Sequence, residues 1–223
     1  MILVGCSGWS YDDWIGNFYP IELAKRKDEW LSYYAQYFRT VEINSTFYRP
    51  PGERQVQSWI KKAKDFVNFE YSVKVPQLVT HKALVEGNTE RAIFWASSFE
   101  KTCVKPLAEA GLLGSVLLQL SPYFKNEGSS LAMLKGVLDS ISHQEYNYAA
   151  ELRHRSWLTE NGRELEHNIK EASVWFKYHV EVEILSSGRS YDWINQATDW
   201  KRSDCATKCA RSWMRSSLVL HPM

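Results

Sequence analysis

The feature that most constrains this chain is its alternation of short strand patterns with helix-length segments. Residues 2–6 (ILVGC) form an apolar strand-like run, and Trp30, Tyr33, Tyr34, Tyr37 and Phe38 then recur at helical spacing within 28–38. Residues 40–44 (TVEIN) read as a strand, and Val56, Trp59, Ile60 and Ala63 share one face of a second helix. The stretch 69–75 (FEYSVKV) alternates strictly, with Phe69, Tyr71, Val73 and Val75 opposite Glu70, Ser72 and Lys74, and Pro76 stops it. A helical region over 88–110 follows, with Asn88 as N-cap, a candidate break at Pro106 and Gly111 as its stop. Next come a strand at 116–120 and a helix marked by Leu131, Leu134, Leu138 and Ile141, entered through Ser129 or Ser130. Strand five is 148–152, Thr159 caps a short helix containing Leu165 and Ile169, and 173–184 contain a sixth strand. Such long returns force parallel pairing, because a tight turn can join only antiparallel neighbours.

Two architectures satisfy that pattern, a (β/α) barrel and an open doubly wound sheet. Strands of doubly wound sheets bury both faces and read as continuous apolar runs. Here one face is apolar and the other carries Glu42 and Asn44, Lys74, Gln119, and Glu151 and Arg153. Polar groups near strand ends on an inward face suit a barrel lumen with a site at its mouth. No Gly-rich phosphate loop follows any strand, so no nucleotide cofactor is specified and cofactor identity stays unknown. At 223 residues the chain is short for a barrel, which typically takes about 250.

Charge and hydropathy narrow the partners. The formal net charge is +1, which gives no long-range attraction to nucleic acid. Nucleic-acid binding is therefore disfavoured unless the barrel mouth concentrates positive charge, and a small-molecule ligand is the expected partner. The longest apolar runs fall well short of a membrane span, and Met1 leads into the first strand without a basic leader, so a cytoplasmic location is expected. Oligomeric state is not specified. Cys6 and Cys103 read as small buried apolar groups, whereas Cys205 and Cys209 form a C-x₃-C spacing with no second pair or histidine cluster; no metal is expected there.

The segments GCSGWSYDDWIGNFYP (5–20), YYAQYFRTVEINSTFYRPP (33–51), FEYSVKVPQLVTH (69–81), LLQLSPYF (117–124) and ELRHRSW (151–157) occur in this order. Together they resemble the YecE-like family, also called domain of unknown function 72. The resemblance spans residues 2–157 and weakens towards 184. It implies a TIM-barrel fold and no particular reaction, because the family has none established. The chain after Ile184 has seven Ser, three Trp, two Cys and no Glu, unlike what precedes it. The fold expected is thus α/β, a parallel (β/α) TIM-barrel-like domain over 1–184, incomplete at its C-terminal end. Residues 185–223 are expected to be a divergent tail, frameshifted or poorly ordered, with a diverged family tail as the alternative.

The polar face defines the candidate site. Glu42 and Glu151 occupy equivalent places on strands two and five, where opposed carboxylates can divide general-acid and general-base roles. The alternative is that each is neutralised, Glu42 by Lys74 and Glu151 by Arg153. Lys74 can clamp an anion, form a Schiff base or serve as a lumen ion pair. His81 and His154 follow strand ends, where acid–base groups or metal ligands of barrels sit, and Arg153 can present a bidentate fork to phosphate or carboxylate. Gln119 lies on the same inward parity. Ser7, Trp9, Asn44, Tyr48 and Trp157 fall in loops after strands one, two and five, where aromatics beside small polar groups suit sugars or bases, or simply pack the loops. No Gly-x-Ser-x-Gly elbow occurs, which disfavours a serine hydrolase. The resulting expectation is an enzyme or enzyme-like protein acting on a small polar ligand, phosphorylated or sugar-containing. Its alternatives are a non-catalytic ligand- or nucleic-acid-binding module, or an inactive truncated chain.

Overall fold

The computed structural model describes residues 3–158 and the strand at 174–178. Its strands are β1 (Gly5–Ser7), β2 (Thr40–Ile43), β3 (Glu70–Lys74), β4 (Leu113–Gln119), β5 (Tyr148–Leu152) and β6 (Val174–Tyr178). Between them lie α1 (Trp30–Tyr34), α2 (Ser45–Tyr48), α3 (Glu53–Ala63), α4 (Thr89–Phe99), α5 (Lys105–Glu109) and α6 (Ser130–Asp139). All six strands pair in parallel in the order β1-β2-β3-β4-β5-β6. A doubly wound sheet reverses its strand order at a switch point, and this one never does. Right-handed crossovers in unbroken order lay every helix on the same face, as in a barrel. Among the described residues the sheet stays open, consistent with an incomplete barrel.

The strand alternation sorts the two faces. Val41, Ile43, Tyr71, Val73, Val116, Leu118, Ala150 and Leu152 are all at most 2% exposed and form the sheet's contribution to the core. The polar parity faces the other way and is aligned by register, Ser7 beside Glu42 beside Ser72, and Gln119 beside Glu151. Between β3 and β4 the register slips by one residue, Tyr71 pairing with Leu113 but Val73 with Val116. The extra residue is a β-bulge, which re-aims side chains locally. It brings the Ser115 Oγ to 3.4 Å from Ser72 Oγ and lays Gly114 against Glu70, where a Cβ would stand 2.5 Å from the carboxylate.

Strand five has the expected bounds, and the Asn88 side chain caps α4 by accepting the Arg91 N–H at 2.9 Å. Several bounds shift, strand four running Leu113–Gln119 rather than 116–120 and the first helix Trp30–Tyr34 rather than 28–38. The first strand begins at Gly5 rather than residue 2: Val4 is 47% exposed, so the apolar run overstates the buried strand. The helical stretch is not broken at Pro106 but widens into a π-helical turn at Glu100–Val104, and Pro106 sits in the first turn of α5, where its missing N–H costs nothing. The helix capped by Thr159 and the tail at 185–223 lie outside the described residues.

Candidate functional site

The C-terminal ends of β1 to β5 each deliver one polar side chain to a shared mouth. Ser7 Oγ donates to Glu42 Oε1 at 2.7 Å, and Lys74 Nζ lies 3.6 Å from that same oxygen. On the other side Gln119 Nε2 donates to Glu151 Oε2 at 3.0 Å, while Arg153 Nε stands 3.8 Å from Glu151 Oε1. Both carboxylates are buried to 6% exposure. Each therefore spends a short hydrogen bond on a neutral donor and receives charge compensation from a cation beyond hydrogen-bond range. Removing a carboxylate from water requires such partners.

Lys74 is held from both sides. Its backbone N–H donates to Thr46 Oγ1 at 3.1 Å, and its Nζ sits over the Phe47 ring, 5.6 Å from the centroid. The short helix α2 brings both residues there from the end of β2. Phe47 also meets the edge of His81 at 5.0 Å. His81 lies in a π-helical turn, Leu78–Ala83, directly after β3, with Nδ1 2.9 Å from Thr80 Oγ1. Burial holds the His81 imidazole below its usual pKa, and the nearby charges of Arg153 and Lys74 push it the same way. Both cations therefore disfavour a proton on the same ring.

His154 is oriented from behind. Its Nδ1 accepts the Ser156 N–H at 3.1 Å and lies 2.8 Å from Ser156 Oγ, so in the neutral ring Nε2 carries the proton. Asn44 stands half-buried at the start of α2 and its side chain caps nothing. Tyr48 is exposed and meets Phe47 edge to face at 5.2 Å.

The two tryptophans are placed differently. Trp157 is fully buried, its Nε1 donating to the Phe124 carbonyl at 2.8 Å and its ring stacked on Phe124. Trp9 is half-buried, 6.3 Å from the Tyr71 ring, and its carbonyl accepts the Tyr19 hydroxyl. Both are engaged in packing, whereas Ser7, Glu42, Lys74, His81, Gln119, Glu151 and Arg153 are brought together. Three groups at or near the mouth carry no signal in strand parity alone: Thr46, Phe47 and Tyr11. The Tyr11 hydroxyl donates to the Ser7 carbonyl, and its pKa is raised by burial first and by the charges of Cys6, Glu42 and Asp13 after it. The aromatic run that ends β2's motif was the available pointer to Phe47. Among the described residues no three His, Cys, Asp or Glu side chains converge as a metal cage, and Cys205 and Cys209 lie outside them.

Comparison with known proteins places this arrangement in a family. The family model for "Protein of unknown function DUF72" matches residues 3–184. The chain belongs to the DUF72 family. Among curated DUF72 relatives, the UPF0759 protein YunF of Bacillus subtilis is 26% identical over 201 residues, covering 89% of this chain and 67% of YunF. The UPF0759 protein YecE of Escherichia coli is 27% identical over 164 residues, covering 74% of this chain. The chain spans 53% of the length of YecE. A DUF72 structure from Thermotoga maritima superposes with a TM-score of 0.65 at 24% identity, covering 94% of this chain and 87% of that one. A second, from Enterococcus faecalis, gives 0.57 at 22% identity, covering 77% and 58%. At such identities the DUF72 structures establish the shared α/β fold. No helix among the described residues is long and apolar enough to cross a membrane.

Proposed function

We propose that the mouth formed by β1 to β5 binds the anionic end of a small polar molecule, of the phosphorylated or sugar-acid kind, and performs acid–base chemistry on it. One observation carries this reading. The short hydrogen bonds of Glu42 and Glu151 go to Ser7 and Gln119, so neither Lys74 Nζ nor the Arg153 guanidinium makes a hydrogen bond among the described residues. Two cations with N–H donors left over among the described residues, both acting on the His81 ring, suit an anion's oxygens. Nearly neutral overall charge restricts that attraction to the mouth itself.

In this reading Lys74 and Arg153 hold the anion, His81 and His154 donate to it, and Glu42 and Glu151 are the acid–base pair. The test is calorimetric titration of the full chain with inorganic phosphate and with sugar phosphates. Binding that is lost in Lys74→Met and in Arg153→Met supports the site, and binding that is unaffected by both substitutions sinks it. Turnover is followed by phosphorus and proton NMR of the bound sugar phosphate. The expected pattern is that Glu42→Gln and Glu151→Gln bind the ligand and no longer convert it. A wild-type chain that binds without converting any ligand in the series leaves the site a non-catalytic binding module.

A further inference from the structure

The two most exposed tyrosines among the described residues are Tyr123 at 79% and Tyr48 at 65%. Both lie on segments that follow strand ends, Tyr48 closing the short helix α2 after β2 and Tyr123 just after β4. Their neighbours are tied to the segment that carries His81. Gln77 Nε2 donates to the Tyr48 carbonyl at 3.4 Å, and the Ser121 N–H donates to the Thr80 carbonyl at 3.4 Å. The chain at Tyr48 and the chain just before Tyr123 are thus both tied to the segment after β3. Neither hydroxyl has a hydrogen-bond partner among the described residues, whereas Tyr11, Tyr19, Tyr34, Tyr71 and Tyr148 all commit theirs. Tyr48 is further propped by Phe47, which also touches Lys74 and His81.

A large exposed ring is ordinary when isolated. Two on segments that are each hydrogen-bonded to the loop carrying His81 have a common use. Resting on the anion-site reading above, we infer that the ligand joins its anionic group to a flat ring, which is the chemistry of a nucleoside monophosphate. The phosphate lies on Lys74 and Arg153, and the base stacks on Tyr48 or Tyr123. A polynucleotide fits less well: neutralising many phosphates needs a basic surface, and the chain's net charge is +1.

The experiment titrates the full chain with inorganic phosphate, ribose phosphate and adenosine monophosphate. The nucleotide is expected to bind roughly tenfold or more tightly than ribose phosphate, the increment typical of one stacked base. Tyr48→Ala, Tyr123→Ala or the double variant should erase that increment and leave phosphate affinity unchanged, and exposed rings can be removed without unfolding the chain. Equal affinities for the two organic phosphates, or a nucleotide preference that survives the double variant, overturn the ring assignment and leave the anion site standing. Binding of none of the three overturns both. A single-stranded oligonucleotide that binds more tightly than the mononucleotide, with steep salt dependence, overturns the mononucleotide assignment.

Discussion

Thr46 Oγ1 accepts the backbone N–H of Lys74 at 3.1 Å and lies 2.7 Å from the Lys74 carbonyl, bolting the turn after β2 to the end of β3. The same oxygen is 2.8 Å from the Ile43 carbonyl, and Thr46 is 1% exposed. Replacing it by valine keeps the shape and strands a buried N–H. Thr46→Val should therefore cost about 1–3 kcal/mol of unfolding free energy by urea denaturation, and Thr46→Ser should recover most of it. A loss in Thr46→Ser without one in Thr46→Val would locate the effect in the methyl group instead.

Glu42 depends on two partners of different kinds. Lys74→Met removes its counter-charge and leaves a buried carboxylate with only the Ser7 hydroxyl. A loss of about 3 kcal/mol is expected, because breaking one side of a buried ion pair leaves the other charge uncompensated. Glu42→Gln in the same chain should restore much of that loss, giving a strong coupling in a double-mutant cycle. Additive losses would show that the 3.6 Å approach contributes nothing to stability.

How far this could be read from the sequence follows a physical line. Glu42, Lys74, Gln119 and Glu151 were legible because strand alternation is a local rule, and one face of each strand was polar. Their partners were harder to see. Ser115 meets Ser72 only because β4 carries a bulge, and Phe47 reaches Lys74 and His81 only because the β2 segment turns into a short helix. Sequence order puts Trp157 in the loop after β5, but its direction depends on a carbonyl 33 residues earlier that accepts its indole N–H. Sequence order gives the loop; the long-range hydrogen bond gives the orientation.

His81 makes the fold sensitive to mild acid. Its pKa is lowered in the folded state by burial, then by Arg153 and Lys74. Between the ordinary histidine value of about 6.5 and that lower value, the unfolded chain takes up a proton and the folded chain does not. Stability should therefore fall as pH drops below about 6.5 and level off once the folded ring is itself protonated. Thermal melts of wild type and His81→Gln across that range check this, the variant showing a flatter profile. Bound phosphate should raise the ring's pKa and shift the wild-type fall to lower stability cost.

Glu70 behaves in the opposite sense. Burial alone raises its pKa, and its carboxylate has no hydrogen-bond or ion-pair partner among the described residues. The folded state then holds this proton more tightly than the unfolded one, so the group opposes folding once both states are ionised. Glu70→Gln should stabilise the chain at neutral pH, and the gain should shrink as pH falls through the folded value towards the ordinary carboxylate range. Melting curves of the pair at neutral and acidic pH decide it. A gain of the same size at every pH would point to packing against Gly114 rather than to charge.

The pairing of β1 with β2 rests on two residues that act together. A Cβ at Gly5 would stand 2.0 Å from the Thr40 carbonyl oxygen, a backbone atom that cannot swing aside. Close by, the Tyr34 hydroxyl accepts the Cys6 N–H at 2.8 Å and donates to the Thr40 carbonyl at 2.9 Å, so one buried side chain satisfies a backbone group on each strand. Burial and the neighbouring Cys6 raise the Tyr34 pKa, so the hydroxyl stays protonated and able to donate. Tyr34→Phe leaves a donor and an acceptor without their bridge and should cost about 2 kcal/mol or more. Gly5→Ala should cost more, because the strands must part before the methyl fits. Hydrogen exchange separates the two mechanisms. Tyr34→Phe should expose chiefly the Cys6 amide, whereas Gly5→Ala should accelerate exchange along the whole β1–β2 pairing, including the Gly8 N–H that donates to the Glu42 carbonyl at 2.9 Å. Since that last bond lies beside Ser7 and Glu42, Gly5→Ala should also weaken phosphate binding at the mouth, and Tyr34→Phe should leave it largely intact.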